Sequence, residues 1–471
     1  MPARSEAPTT AAEGVAGAST HLTGASFSGR LSDFLAAPTP APVGLLFTAL
    51  ALAVYVISNP LRRNFYNHFV WQAEAFLSDR FAIRFPVTDG PFTNGYFQDV
   101  MPLAGQPGLG LLPFPPLPAA MLTPLVAVFG LATDAALFAA IVGAINVGLA
   151  WRMMTHVTDH PGARFLATLF FAFGTVHWYA AMLGSTWFLA HVVGVTFVIL
   201  AITIALDGER REDLRESVAA VAGRFDPRRW IDPLQFVAGF VFGIAALARL
   251  TVIFAAPFFL FVGSGGSFLR RGLSAGIGAA IPLLFLLGYN MAATGHPFNP
   301  AYEWLYQHEY LGYLPDWLAI DRSWALQDPR YLPGNTVIML LWPPLFEPEC
   351  GLALLNRDCP LLRPDEIGMS LLLTSPAYLL AVPLVVRAWR QRIVMGTVLA
   401  VLAIALVNLM HFSQGWVQFG YRFSNDFAPF ALILVGLAIA RAGVRPLTVL
   451  LVAASIVINA WGVYWGVVLG W

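Results

Sequence analysis

Residues 59–103 read NPLRRNFYNHFVWQAEAFLSDRFAIRFPVTDGPFTNGYFQDVMPL, and residues 112–130 read LPFPPLPAAMLTPLVAVFG. This mostly polar stretch follows the first hydrophobic segment of the chain and precedes a long series of others. A loop longer than about 12–15 residues is usually functional, and functional residues concentrate in loops held by a rigid scaffold. We therefore expect residues 59–132 to form an outer loop that carries the chemistry.

The composition is that of a membrane protein. The 471 residues are 58% hydrophobic and 11% charged, with a mean hydropathy of +0.67, whereas soluble proteins carry about 25% charged residues. The net charge is +0 and every cationic side chain is Arg. Because there is no broad basic face, nucleic acid is not an expected partner. We predict an all-α polytopic membrane protein.

Hydrophobic segments divide the chain into about 11 predicted transmembrane helices, since a helix needs about 20 apolar residues to cross the hydrocarbon. They lie near residues 42–58, 133–152, 162–181, 186–206, 234–248, 250–264, 273–293, 369–387, 393–411, 427–442 and 446–468. Residues 1–41 are rich in Ala, Ser, Thr, Gly and Pro and are predicted to be a disordered tail before the membrane domain, residues 42–471. They lack a basic segment followed by an apolar one, so we expect the first span to act as the insertion signal.

Arginine-rich loops set the predicted orientation, because such loops stay in the cytoplasm. The cytoplasmic arginine clusters are at residues 207–233, 270–271, 387–392 and 441–445. With the N-terminus also cytoplasmic, the first loop and a second large loop, residues 294–368, lie outside the cell membrane. If the apolar segment 113–130 also crossed the membrane, the first loop and the arginine-rich loops could not both lie on their predicted sides. We therefore predict that it is a juxtamembrane helix rather than a span.

Two carboxylates of the first loop are candidate catalytic groups. Residues 64–79 have the spacing of an amphipathic helix on the membrane surface, and Glu74 within it has no Lys or Arg three or four residues away. Asp99 lies among aromatic residues, where burial would raise its pKa and suit it to act as a general base. The alternatives are a plain interfacial anchor for the helix and a turn-forming or capping role for Asp99.

The order of these elements resembles the GT-C superfamily of lipid-linked-sugar glycosyltransferases, which includes protein O-mannosyltransferases and aminoarabinose transferases of lipid A. The shared order is one span, a long outer loop with acids, a Pro-Pro-Leu helix and a membrane bundle. Residues 114–118, FPPLP, resemble the family's His-Pro-Pro-Leu-Gly motif with Phe in place of His, and residues 243–257 resemble its paired short helices. The resemblance covers most of residues 42–442.

The resemblance implies an active site outside the membrane that moves a sugar from a polyprenyl phosphate donor to a glycan, lipid or protein acceptor. In the family an acid of the first outer loop is the catalytic base. This chain has FYNH at residues 65–68, where family members often carry that acid. We therefore place Asp99 first and Glu74 second for this role.

A departing lipid phosphate needs a cation at the membrane boundary, and Arg249 and Arg422 are the candidates. Each arginine also has a structural alternative, either pairing with an acid or extending to the interface. For Arg422 the obvious partner is Asp426, one turn further along the chain. For Arg249 no acid lies nearby in the sequence.

Five further polar residues are candidate substrate contacts. They are Asn67 and His68 in the first loop, His191 one turn into a span, Glu303 in the aromatic segment 301–310, and Tyr421 in the late segment QFGYRF. Sugar rings stack on aromatic side chains, which favours segment 301–310 as part of an acceptor cleft. The alternatives are an interior position for His191 and an ordinary interfacial belt of Trp and Tyr around Glu303.

Cys350 and Cys359 both lie in the second predicted outer loop, where an oxidising compartment favours a disulfide over two free thiols. Some GT-C members carry a metal-binding acid in the second outer turn. Here that turn reads MLGSTW at residues 182–187, without a carboxylate. No cofactor is therefore predicted, although the resemblance leaves a divalent metal open.

Two other classes of function are compatible with a polytopic membrane protein. One is a transporter or flippase for a lipid or small solute, and the other is a noncatalytic membrane protein of envelope assembly. Transporters usually show internal repeats and charges near the bilayer midplane. This sequence shows no convincing repeat and its charges cluster at the boundaries, so it favours the glycosyltransferase.

Overall fold

The computed structural model describes residues 41–62, 66–84, 99–216, 230–309, 315, 317–318, 321–351, 354–415 and 417–471. Residues 1–40 of the predicted tail lie outside these ranges, as do residues 64–65 of the predicted amphipathic helix. The described part of the chain consists mainly of helices with a few very short strands. This architecture confirms the predicted fold class, a helical polytopic membrane protein.

The helices are numbered here in chain order. The first ten are α1 (Ala41–Ser58), α2 (His68–Leu77), α3 (Leu117–Phe129), α4 (Ala135–Val157), α5 (Pro161–Phe173), α6 (His177–Leu183), α7 (Thr186–Glu216), α8 (Pro233–Ala246), α9 (Pro257–Phe261) and α10 (Phe268–Thr294). The others are α11 (Ala301–His308), α12 (Leu332–Leu340), α13 (Leu371–Thr374), α14 (Ala381–Ala388), α15 (Arg392–Leu409), α16 (Ser424–Ala442) and α17 (Pro446–Leu469).

Short strands and 3-10 turns shape the loops. Strands β1 (Ile83–Arg84), β2 (Met101–Pro102) and β3 (Leu109–Leu111) form an antiparallel sheet in the order β1-β3-β2. In the second loop β4 (Leu345–Phe346) pairs antiparallel with β5 (Leu362–Arg363), and a disulfide joins Cys350 to Cys359 between these strands. The 3-10 turns are Gly130–Ala132, Leu250–Ala255, Pro329–Tyr331, Pro348–Cys350 and Pro376–Leu380.

Seven helices of the described residues are long and apolar enough to cross a membrane, namely α1, α4, α7, α10, α15, α16 and α17. Helices α5 and α6 make an eighth span if they are taken together, with a bend of 46° between them. The outward faces of these helices are apolar, since Leu45 on α1 is 70% exposed and Leu284 on α10 is 65% exposed. Extended apolar surface of this kind is typical of contact with lipid.

The other three predicted spans are series of shorter elements. Helix α8 has only 14 residues and ends before Arg249, at the predicted break. The predicted span 250–264 is a 3-10 turn followed by α9, which starts at Pro257 because proline fits the first turn of a helix but cannot continue one. The predicted span 369–387 is divided by Pro376 into α13, a 3-10 turn and α14.

The two ends of the bundle differ chemically. At one end Arg392 pairs with Glu209 at 3.2 Å, and Arg441 donates a hydrogen bond to Gln391. Three of the arginine-bearing segments predicted to be cytoplasmic therefore lie together. The first loop, the turn before α7, the break after α8 and the loop before α16 meet at the other end. Which side of the membrane each end faces stays a prediction.

The first loop is attached to the bundle through backbone groups at the starts of its two helices. At the start of α2, the His68 amide donates to the Thr186 hydroxyl at 3.1 Å, and the Thr186 amide donates to the Tyr66 carbonyl at 2.9 Å. At the start of α3, the Leu117 amide donates to the Leu247 carbonyl at 3.0 Å. The Pro-Pro-Leu motif thus fixes a short helix of 13 residues directly onto the break that carries Arg249.

Helices α8 and α10 pack closely through glycines. A Cβ atom at Gly278 of α10 would lie 2.1 Å from the carbonyl oxygen of Phe236 on α8, whereas a Cβ at Gly276 would meet nothing within 4 Å. Small residues at such positions let two membrane helices approach until their backbones touch. Gly278 is therefore a packing requirement, whereas Gly276 is not.

We predict that Gly278→Ala lowers the thermal unfolding temperature of the detergent-solubilised protein, because the added methyl group forces the two backbones apart. Gly276→Ala, on the same helix, is the matched control and should leave that temperature unchanged or slightly higher, since Ala favours helix over Gly by up to ~1 kcal/mol. Equal unfolding temperatures for the two variants would contradict the close packing.

Candidate active site

A cavity of about 750 Å³ lies where the loops meet at one end of the bundle. Ligand pockets commonly measure roughly 300–1,000 Å³, so this volume suits a sugar with its phosphate. The charged and aromatic residues of its wall include Asp99, Arg249, Arg422, Tyr66, Trp187, Tyr302 and Phe423. Glu309 also forms part of the wall, so segments that are far apart in the sequence bring two acids, two arginines and several rings to one space.

Asp99 forms part of the cavity wall, two residues before strand β2. It is 5% exposed, and the indole Nε1–H of Trp187 donates to its Oδ2 at 2.7 Å. Burial raises the pKa of Asp99 to about 6, although the Trp187 hydrogen bond and the charge of Arg422 act in the opposite direction. The carboxylate is thus poised to take up a proton near neutral pH.

Arg249 lies in the break between α8 and the following 3-10 turn. Its Nη2 and Nε donate to the two carboxylate oxygens of Asp426 at 2.9 and 3.2 Å. The structural alternative for Arg422, an ion pair with Asp426, is not observed, because the acid pairs with Arg249 instead. The side chain of Arg249 is 18% exposed, and the residue still forms part of the cavity wall.

The ring of Phe423 is shared by both arginines. The guanidinium carbons of Arg249 and Arg422 each lie 5.3 Å from its centroid. Arg422 also lies 5.9 Å from the centroid of Trp187 and 5.7 Å from that of Phe188. Contacts of this kind between a cation and aromatic faces stabilise the charge and orient the planar group.

Gly415 leaves the space that the guanidinium of Arg422 occupies. A Cβ atom at this position would lie 2.5 Å from Cζ of Arg422. Gly415 also has a φ of +92°, a conformation that L side chains rarely adopt. The loop before α16 therefore requires glycine here for two independent reasons.

The structure places Glu74 outside the cavity wall. Its carboxylate pairs with Arg80 at 3.0 Å and with Arg84 at 2.6 Å, and accepts a hydrogen bond from Ser78 at 3.1 Å. This arrangement does not support the second-ranked catalytic role for Glu74. The residue instead ties the end of α2 to strand β1.

The five predicted substrate contacts do not form part of the cavity wall either. His68 is buried with its Nδ1 2.8 Å from the Thr186 hydroxyl, and Asn67 precedes α2 without a side-chain capping bond. Tyr421 is buried and donates to Gln414 Oε1 at 2.7 Å. His191 is also buried, with Nδ1 2.7 Å from Asp426 Oδ1. Glu303 is exposed and accepts from Gln307 at 3.0 Å.

One of these five residues, His68, packs beside a residue of the cavity wall. The imidazole centroid of His68 lies 6.1 Å from that of Trp187, the residue that holds Asp99. Next to Glu303 on α11, Tyr302 does form part of the cavity wall. His68, His191 and Tyr421 are therefore buried residues outside the cavity wall, and the substrate contacts predicted for the five residues stay predictions.

Sequence reasoning missed the roles of Trp187 and Asp426. Trp187 stands in the predicted second outer turn, but nothing local indicates that its indole reaches Asp99, 88 residues away. Asp426 had a usable signal, because an acid inside an apolar helix is expensive unless it is paired and is usually functional. That signal identifies the acid but does not identify Arg249 as its partner.

Among the residues that the structure describes, no group of three or more His, Cys, Asp or Glu side chains is placed to hold a metal ion. The described residues around the cavity therefore do not by themselves form a site for a divalent metal.

The fold and the cavity define a multi-pass helical membrane protein with a charged, aromatic-lined site at one end of its bundle. The chain matches no known protein-family model and no curated protein. Its structure is similar to that of the apo oligosaccharyltransferase of Archaeoglobus fulgidus, with a TM-score of 0.43 and 14% identity. The match covers 90% of this chain and 55% of that one, so the chain spans about half the length of that protein. A similarity of this size carries no argument about function.

We predict that Asp99 destabilises the folded protein at neutral pH. Because burial raises the pKa of Asp99, the folded state binds the carboxyl proton more tightly than the unfolded state does. The free energy of unfolding therefore falls as the pH rises from about 4 to about 6, and it stays reduced above that range. The rise of the pKa from 3.8 to about 6 corresponds to roughly 3 kcal/mol. Asp99→Asn should therefore raise the thermal unfolding temperature at pH ~7.5, and this difference should vanish below pH ~4.

Asp328→Asn provides a control of opposite sign. The hydrogen bonds from Arg330 lower the pKa of Asp328 to about 2, so its carboxylate favours the folded state at neutral pH. This substitution should lower the unfolding temperature slightly or leave it unchanged. An Asp99→Asn protein that unfolds at or below the wild-type temperature at pH ~7.5 would contradict the raised pKa of the buried Asp99 carboxyl.

Proposed function

We propose that this chain is a GT-C-type glycosyltransferase that moves a sugar from a polyprenyl phosphate donor to an acceptor on the outer face of the cell membrane. The observation that carries the proposal is the shared cavity of Asp99, Arg249 and Arg422. Such a transfer needs a base for the acceptor and cations for the leaving phosphate. The cavity contains both at one end of a membrane bundle.

In the proposed reaction Asp99 removes the proton from an acceptor hydroxyl as its oxygen attacks the anomeric carbon of the sugar. The new carbon–oxygen bond forms on one face while the bond to the phosphate oxygen breaks on the other, so the configuration inverts. The bonding electron pair leaves with the lipid phosphate. Asp99 holds the proton at the end of the step and releases it to solvent.

Arg249 and Arg422 stabilise the charge that develops on the leaving phosphate. A guanidinium binds phosphate oxygens through parallel N–H groups, and cations positioned in advance lower the barrier by stabilising the transition state more than the ground state. The two arginines lie around Phe423, which fixes both relative to one ring. In the proposed complex the phosphate lies against this pair.

The apolar residues beside Arg249 support a lipid-linked donor. Leu250 and Phe254 belong to the 3-10 turn after the break, form part of the cavity wall, and are 45% and 44% exposed. A donor whose phosphate contacts Arg249 would therefore place its hydrocarbon chain along these side chains. Burial of each CH₂ group contributes about 0.8 kcal/mol to binding.

Transfer of a labelled sugar from a polyprenyl phosphate donor by the purified protein in lipid nanodiscs tests the proposal. We predict that Asp99→Asn lowers kcat by about 10²–10⁴-fold, the usual contribution of a general base, with little effect on the KM for the donor. Arg422→Gln should raise that KM, because a phosphate ligand is lost. Asp328→Asn, which alters a carboxylate of the second loop that pairs with Arg330 outside the cavity wall, should retain the wild-type rate.

Two outcomes would contradict the proposal. Solute or lipid flux without release of the lipid phosphate would indicate a transporter. Full activity of Asp99→Asn would remove this residue from the role of base, even if the wild-type protein transfers sugar.

The pH dependence of transfer provides a separate prediction. Because Asp99 acts when deprotonated, kcat/KM should fall as the pH drops through about 6, the pKa that burial gives this carboxyl. Trp187→Phe removes a hydrogen bond that stabilises the Asp99 carboxylate. The fall of kcat/KM on the acidic side of the pH profile should therefore occur at higher pH in this variant. An acidic limb near pH ~4 in the wild-type protein, or an unchanged limb in Trp187→Phe, would contradict this assignment.

A further inference from the structure

One face of α7 lies beneath the charged groups of the cavity. Trp187, His191 and Gly194 follow one another at intervals of four and three residues, which places them on the same side of the helix. Trp187 binds Asp99 and His191 binds Asp426. A Cβ atom at Gly194 would lie 3.2 Å from Cγ of Arg249, so the glycine leaves space for the stem of that arginine.

Asp426 is the centre of a buried network. Besides Arg249, it accepts hydrogen bonds from the Thr251 hydroxyl at 2.8 Å and from Asn408 Nδ2 at 3.2 Å. His191 Nδ1 lies 2.7 Å from its Oδ1, and because a carboxylate only accepts hydrogen bonds, this nitrogen carries the donated proton. Both carboxylate oxygens are therefore held by side chains from three different elements.

This network fixes the orientation of Arg249. An arginine side chain has several rotatable bonds and can extend toward water from a membrane boundary. Here its Nε and Nη2 are held by Asp426, its stem lies against Gly194, and its guanidinium lies near the Phe423 ring. Asp426 and His191 themselves do not form part of the cavity wall.

We propose that Asp426 and His191 are positioning residues, which hold Arg249 in the orientation in which it binds the phosphate of the lipid-linked donor. This inference rests on the proposed function, because it assigns Arg249 to the donor phosphate. Asp426 acts on Arg249 directly, and His191 acts through Asp426. Neither residue contacts the substrate.

A double-mutant cycle on phosphate binding tests the inference. The affinity of the full-length protein in nanodiscs for farnesyl phosphate is measured by calorimetry for wild type, Asp426→Asn, Arg249→Gln and the double variant. Asp426→Asn and Arg249→Gln should each weaken binding about tenfold, which is ~1.4 kcal/mol. The double variant should bind no more weakly than Arg249→Gln alone, since Asp426 acts through that arginine.

Two further variants separate positioning from loss of structure. His191→Phe keeps the ion pair and removes one hydrogen bond to Asp426, so it should weaken binding in the same direction by a smaller factor. Asn459→Ala removes buried hydrogen bonds to the carbonyls of Thr374 and Ser455, away from the cavity. It should lower the thermal unfolding temperature without changing the affinity for farnesyl phosphate.

Additive losses in the double variant, or wild-type affinity in both Asp426→Asn and His191→Phe, would overturn the inference. So would a wild-type protein that does not bind farnesyl phosphate. If the cycle behaves as expected but no sugar is transferred from any polyprenyl phosphate donor, the proposed function fails and the positioning of Arg249 for phosphate stands.

Discussion

The buried ion pair between Arg249 and Asp426 is the interaction on which the site depends. It joins the break after α8 to the first turn of α16, across 177 residues of sequence. Removing two charges from water is expensive and is offset only by good geometry and further hydrogen bonds. His191, Thr251 and Asn408 supply those bonds to Asp426. They help to offset the cost of holding the charged Arg249 at the cavity wall.

The first loop depends on the same break. Its Pro-Pro-Leu helix is bonded to the carbonyl of Leu247, two residues before Arg249, and its amphipathic helix is bonded to Thr186 at the start of α7. Between these two attachments the chain brings Asp99 to Trp187. The carboxylate and the arginines are therefore positioned by a common set of helix ends, which is why an acid from a loop and cations from distant helices share one cavity.

The general architecture could be predicted from the sequence, because membrane helices, helix caps and helix breaks each have a local sequence pattern. Apolar runs predicted the long helices, and Asp134 and Asp232 cap α4 and α8 through their side chains. The partners of the charged side chains could not be predicted from the sequence. Glu74 had no basic neighbour on its own helix, yet the helix ends at Leu77, the chain reverses with a positive φ at Asp79, and Arg80 and Arg84 return to it. The burial of His191 and Tyr421 could not be predicted, because sequence position does not reveal which face of a helix or loop points inward.

The most direct measurement is an experimental structure of the full-length protein in nanodiscs with an unreactive polyprenyl phosphate sugar bound. We predict that phosphate oxygens lie within about 3 Å of guanidinium nitrogens of Arg249 or Arg422. We also expect the anomeric carbon to face Asp99 and the lipid chain to run past Leu250 and Phe254. A phosphate bound outside this cavity, with Asp99 turned away from the sugar, would contradict the proposed site.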